Sequence, residues 1–249
     1  MRHTVRICIT AVFAACTVGG AFGLTGDEIL AKVEKALTGP KDYEGTSVMT
    51  LANADGSGKE QRSLKMWVAG SEKRVIKFIS PAGIEGIGLL TEGPGEMYLY
   101  LPSQNKIRRI EGGSMSEDFQ GTDFSYNEMG SFDYKKDYAA SLASENDGTW
   151  TLELARKAGA DRSYERLVMV VAKVDYVPKR VDMYRNGKLL KQLSILEVSE
   201  SGSYKVPVKL RMENLEKKHY TEMSLSGLKF DQGLEAKDTF SKRFLKKKA

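Results

Sequence analysis

The sequence predicts a mainly β (α+β) fold, an open antiparallel half-barrel with an N-terminal helix and short helices covering its concave face. Three observations carry that expectation. Apolar residues recur with a period of two along about eleven segments. The links between these segments are short, which joins neighbouring strands in antiparallel fashion. The helical segments are few and brief, so they cover a sheet only in part.

Taken in order, Thr25 and Glu28 form a capping box, and Ile29, Leu30, Val33, Ala36 and Leu37 follow at helical spacing until Gly39-Pro40 ends the segment. Strands are then predicted over 43–51 and 61–69, flanking the turn signal Asn53-Ala54-Asp55-Gly56-Ser57-Gly58. Further strands follow over 73–80, stopped by Pro81, and over 87–91, 96–101 and 106–110. Residues 112–131, rich in Gly, Ser and acids, are too long for an ordinary connection. Within them Asp123 is read as the cap of a short helical turn ending at Gly130, and 137–145 as a second short helix. Strands resume over 149–156, 165–175, 179–185, 188–198, 205–214 and 219–226, with Asn186-Gly187 as a type I′ turn signal.

Clean alternation defines the inner wall. Leu64, Met66 and Val68 oppose Ser63, Lys65 and Trp67, and Trp150, Leu152 and Leu154 oppose Thr149, Thr151 and Glu153. Val208, Leu210 and Met212 oppose Lys209, Arg211 and Glu213. So long a sheet curls under its own twist, and incomplete helical cover leaves an apolar cavity suited to a hydrophobic ligand. The predicted lining is Leu64, Met66 and Val68, then Ile76 and Phe78, then Met97 and Leu99. On the second half of the sheet it continues with Trp150, Leu152, Leu154, Met169, Met183, Leu210 and Met212. Methionines suit such a wall because the thioether adapts to varied apolar partners, although they also serve as gap-fillers in a dry core. The predicted lid comprises Met115, Phe119, Phe124, Tyr126 and Met129, with Tyr138 and Leu142 from the second short helix.

Residues 1–23 read as a cleavable export signal and 24–249 as a single domain. A basic start (Arg2, His3, Arg6) precedes an apolar run, and Ala21 and Gly23 supply small residues at the cleavage site. A periplasmic location follows. The alternative is a membrane-tethered lipoprotein acylated at Cys16, because Phe13-Ala14-Ala15-Cys16 resembles a lipobox. Both cysteines, Cys8 and Cys16, lie in the leader, so cleavage after it removes disulfides and thiol chemistry. His3 goes with them and leaves His219, read here as a surface residue, which excludes a multi-histidine metal site. Of the chain's net charge of +5, the tail supplies Lys242, Arg243, Lys246, Lys247 and Lys248. That tail, 242–249, has two readings: a solvated end, or a contact to anionic membrane headgroups. The nearly neutral remainder argues against nucleic-acid binding. The Gly83, Gly86, Gly88, Gly93 and Gly95 series matches no phosphate-binding spacing and reads as turns and bulges. No cofactor, metal or catalytic residue is called for, and without a nucleophile elbow the chain is not expected to be an enzyme such as an esterase.

The run Phe78-Ile79-Ser80-Pro81-Ala82-Gly83-Ile84-Glu85-Gly86-Ile87-Gly88-Leu89-Leu90 leads into Met97-Tyr98-Leu99-Tyr100-Leu101-Pro102. Lys106-Ile107-Arg108-Arg109-Ile110 and Gly121-Thr122-Asp123-Phe124-Ser125-Tyr126 follow. This succession resembles the outer-membrane lipoprotein-sorting proteins of the LolA-like superfamily, and is most similar to a spirochaete-type branch. Asn127-Glu128 departs from the pair of acidic residues expected there. The resemblance implies an open barrel that holds lipoprotein acyl chains or other lipids. It also implies dealings with inner- and outer-membrane transport components. A carrier or chaperone for outer-membrane sorting is the leading expectation. The alternative is a sensor or scaffold domain that binds a lipidated or protein partner in envelope signalling.

Overall fold

Thr25 starts the first helix as the capping box requires: its Oγ1 accepts from the Glu28 amide, and Glu28 reaches back to the Thr25 amide at 2.8 Å. This computed structural model describes residues 23–131, 133–201 and 204–248. The leader over 1–22, with Cys8 and Cys16, lies outside the described residues. Helix α1 (Gly26–Leu37) turns Ile29, Leu30 and Val33 inward, and all three are fully buried.

Among the described residues, thirteen strands then form one antiparallel sheet. The first half comprises β1 (Asp42–Asn53), β2 (Glu60–Ala69), β3 (Lys73–Ser80), β4 (Gly88–Gly93), β5 (Glu96–Leu101) and β6 (Lys106–Ile110). The second comprises β7 (Tyr138–Glu145), β8 (Thr149–Arg156), β9 (Arg166–Ala172), β10 (Pro178–Arg185), β11 (Lys188–Ser201), β12 (Tyr204–Asn214) and β13 (His219–Phe230). The spatial order is β6-β5-β4-β3-β2-β1-β13-β12-β11-β10-β9-β8-β7. Each half is a meander built outward from the centre, where β1 pairs with β13. Asn186 and Gly187 both take positive φ, 53° and 72°, as a type I′ turn between β10 and β11 demands.

This order has a topological consequence. β6 and β7 are consecutive in the chain yet stand at opposite edges of the sheet. Residues 111–137 must therefore cross from edge to edge, and they cross over the concave side, where Phe119, Phe124, Tyr126 and Met129 join the main apolar core. The crossing contains α2 (Tyr126–Gly130) and α3 (Tyr134–Asp137).

Three expectations are corrected. Residues 137–145 are not a second lid helix; 138–145 form the edge strand β7, paired with β8 from Tyr138↔Arg156 to Glu145↔Trp150. Small residues such as Ala139, Ala140 and Ala143 favour a helix locally, but pairing on β8 supplies the backbone partners instead. Helix α1 shields this edge so closely that a Cβ at Gly26 would come 2.5 Å from the Ser141 carbonyl carbon, and Asp27 Oδ1 accepts from the Ala140 amide. Second, Ser125 and not Asp123 caps α2, because Ser125 and Glu128 form a reciprocal capping box. Third, the tail is more than a solvated end: its five cations are exposed, but its apolar residues are docked. Helix α4 (Lys242–Leu245) lies against the convex face, where Leu245, Phe244 and Phe240 pack with Trp67, Val75 and Leu90.

Candidate functional site

The concave face is not uniformly filled. Over β2–β5 it is mostly packed: Leu64, Ile76, Phe78, Met97 and Leu99 are buried in the main core. Phe119 from the crossing segment stacks on Phe78 at 5.5 Å and meets Tyr126 edge-on. Leu152, Leu154 and Met169 likewise bury in that core, and Trp150 packs partly against it while stacking on Tyr176 at 5.3 Å. Val68 is buried but belongs to neither apolar cluster.

Where β9–β13 meet β1 and β2, the cover lifts away from the sheet. A cavity of about 120 Å³ remains there, within about 1240 Å³ of atom-free space that includes the solvent at its mouth. Met66, Met183, Leu210, Met212 and Met223 form its wall, with Leu167, Leu193 and Leu225 beside them. Phe124, Met129, Tyr134 and Tyr138 close it from the crossing segment and the start of β7, and Leu37 closes it from α1. Of the lining expected from sequence, Met66, Met183, Leu210 and Met212 reach this cavity; Leu64, Ile76, Phe78, Leu99, Leu152, Leu154 and Met169 are packed core instead, and Val68 and Trp150 do not line it either. Of the expected lid, Phe124, Met129 and Tyr138 face it, Phe119 and Tyr126 pack in the main core, and Met115 borders a second, smaller space, as does Met97 of the expected lining. Leu142 does not belong to any cover: it is 37% exposed on the edge strand.

Sequence reasoning missed the polar part of the wall. Tyr43 and Arg74 line the cavity from inward positions of β1 and β3. The Arg74 guanidinium donates to the Met129 carbonyl at 2.7 Å and so ties β3 to the crossing segment. Farther along, Asp123 is 2% exposed, and its Oδ2 accepts from Thr221 Oγ1 at 2.7 Å. His219 Nδ1 lies 2.7 Å from the same oxygen, so His219 is a partner of the crossing segment and not a surface residue. Lys191 Nζ donates to the Asp123 carbonyl at 2.7 Å and stands 3.5 Å from Glu128 Oε2. Glu128 also accepts from Tyr164 Oη at 2.8 Å, and Arg62 donates to the Gln120 carbonyl. Burial of these anchors is costly without partners, so the contacts hold the segment in one position. Burial first, then the Glu128 charge, pushes the Tyr164 phenol far above its ordinary value. The Tyr138 phenol is pushed up to about 12, chiefly by burial. Both phenols act as hydrogen-bond donors, Tyr138 to the Tyr164 carbonyl and Tyr164 to Glu128.

A curled sheet whose apolar face is roofed by a crossing segment over a cavity is the architecture of the LolA-like lipoprotein-sorting superfamily, and this chain is a member of it. Residues 70–247 match a family described as an uncharacterized protein family, and the chain belongs to that family. No curated protein is a match. Among solved structures, a domain named for outer membrane lipoprotein sorting from Vibrio parahaemolyticus is 26% identical. Its match covers 89% of this chain and 98% of that one, with a TM-score of 0.79. A DUF1329 family protein from Desulfovibrio piger is 24% identical over 88% of this chain and 97% of its own, with a TM-score of 0.81. A LolA superfamily protein from Nitrosomonas europaea is 18% identical over 89% and 100%, with a TM-score of 0.74. These likenesses extend over most of the chain.

Proposed function

We propose that this protein is a periplasmic carrier that shelters the acyl chains of lipoproteins or other lipids on their way to the outer membrane. The observation that carries the reading is the apolar cavity beneath the crossing segment, walled by Met66, Met183, Leu210, Met212 and Met223. Burying each methylene contributes about 0.8 kcal/mol, so a sixteen-carbon chain gains on the order of 12 kcal/mol before ordering costs. Such a chain does not cross water unaided. A flexible thioether wall suits cargo of varied length and branching.

The cavity of about 120 Å³ is smaller than the roughly 300–1,000 Å³ of sites that enclose a whole ligand. Loading therefore requires the crossing segment to rise, and its side-chain anchors on β2, β3, β11 and β13 set the cost of that motion. In this reading the leader over 1–23 delivers a single domain, 24–249, to the periplasm. Acylation at Cys16 in place of cleavage after Gly23 would leave it membrane-tethered. Native mass spectrometry of the protein purified from the cell envelope tests the proposal. One co-purified acyl lipid per chain is expected. A stable protein partner with no lipid would instead indicate a sensor or scaffold, and turnover of a lipid ester would indicate an enzyme.

A further inference from the structure

Two buried polar atoms near the cavity have no hydrogen-bond partner, and they border the same space. Asn127 is 8% exposed and Thr91 is 4% exposed, yet neither Asn127 Nδ2 nor Thr91 Oγ1 is paired. Leaving such groups unpaired inside a protein is costly, so a persistent pair of them calls for an occupant. Thr91 points inward from β4 and Asn127 stands on the first turn of α2. Helix α2 sits so low over β4 that a Cβ at Gly130 would collide with Met97 Cε and come 3.2 Å from Thr91 Oγ1.

Both residues line a second cavity beneath the crossing segment, and Asn127 also lines the large one. Asn127, Ser131, Asp133 and Arg162 form a wall common to the two spaces. Beyond that shared wall the large space is lined mainly by apolar side chains, and the small one is edged by groups that seek hydrogen-bond partners. That division matches a molecule with a hydrocarbon tail and a polar head.

The charges at the small space decide which head fits. Glu72, Glu96 and Asp133 line it against Lys136 and Arg162. Arg162 is already engaged, with its Nε 2.6 Å from Asp137 Oδ2. Carboxylates thus prevail, and an anionic head would be repelled. A cationic head would leave the Asn127 amide donor unsatisfied. A neutral acceptor meets both conditions.

We infer that the second cavity is the head-group subsite for a neutral acyl ester or amide, whose carbonyl oxygen accepts from Asn127 Nδ2 and Thr91 Oγ1 while the alkyl chain enters the methionine-walled cavity. The inference rests on the carrier reading and sharpens it, since it separates acylated cargo from free fatty acids and from plain hydrocarbon.

The test is displacement of the apolar fluorophore N-phenyl-1-naphthylamine from the purified protein, below micelle-forming concentrations. The competitors are glycerol monododecanoate, glycerol monododecyl ether and dodecanoate. The ester and the ether differ in one carbonyl, and the ester is expected to compete at about one-tenth the concentration of the ether. Dodecanoate is expected to compete less well than the ester. In Asn127→Leu the ester should lose its advantage and compete at about the same concentration as the ether in that variant. Thr91→Val, on the sheet instead of the lid, should narrow the ester–ether gap in the same direction and serves if the first variant does not fold. Equal competition by ester and ether in the unaltered protein would overturn the subsite while leaving the carrier reading intact, and tighter binding of dodecanoate would overturn the neutral head. Failure of all three to displace a bound fluorophore would remove the carrier reading itself.

Discussion

The sheet carries two covers, one on each face, and they are built to opposite ends. On the convex side, residues 231–248 form a strap that closes completely. Leu245 is fully buried against Gly88, where even an added Cβ would come 2.7 Å from Leu245 Cδ1. Phe244 meets Trp67 edge-on at 5.0 Å. Beneath it Lys77, 1% exposed, donates to the carbonyls of Phe244 and Lys247 at 2.6 and 2.8 Å and lies over the Phe244 ring. On the concave side, residues 111–137 are anchored by polar contacts at intervals and leave space and unpaired groups between them. A strap that saturates its own contacts serves stability. A cover that leaves room and polar atoms unspent is where a ligand has something to gain.

Substitutions on the two covers should separate stability from binding. Leu245→Ala opens a cavity in the strap and should cost about 2–5 kcal/mol in urea unfolding. Its affinity for an acyl fluorophore should remain that of the parent while the protein is folded. A fall in affinity would mean that the two faces are not independent. Asp123→Ala acts on the other cover. It strips Thr221 Oγ1 and His219 Nδ1 of their acceptor and should cost about 1–3 kcal/mol. Stopped-flow release of a bound acyl fluorophore should become faster, because the crossing segment loses an anchor on β13. Unchanged release would show that the segment does not gate the cavity.

A smaller effect concerns pH. Burial, with Lys247 and Lys65 nearby, pushes the Lys77 ammonium down to about 8 from an ordinary 10.5. Between these values the unfolded chain holds a proton that the native protein has released, so raising the pH favours the native state. Urea midpoints at pH 7.5 and 9.5 should therefore move in favour of the parent relative to Lys77→Met as pH rises. A constant difference between the two proteins would show that Lys77 keeps its ordinary titration.

Much of this architecture is legible in the sequence, since period-two alternation marks twelve of the thirteen strands and Asn186-Gly187 marks its turn. β7 is the exception because alanine and serine carry little alternation, and its strand character comes from β8 and from the tight approach of Gly26. The strap is illegible for another reason: Phe240, Phe244 and Leu245 fall in too short a stretch to show a period, so five nearby cations dominate the reading. Inward-facing positions were readable, but the choice among them was not. Leu64 and Met66 are two residues apart on one strand face, yet only Met66 borders the large cavity. What lies above each residue decides that, and the crossing segment has no regular pattern to reveal its path. Thr91 gave no signal, because a polar residue in an apolar alternation looks like an interruption, and Asn127 stood out only as a departure from an expected acidic pair.

The central claim is that the space under the crossing segment is the acyl-chain site. Met212→Trp adds an indole to its wall, and the decisive measurement is acyl-fluorophore affinity of this variant against the parent, with thermal unfolding followed in parallel. The account predicts at least a tenfold loss of affinity with the folded state retained, since the added ring occupies existing space. Undiminished binding in a folded variant would place the ligand elsewhere and contradict it.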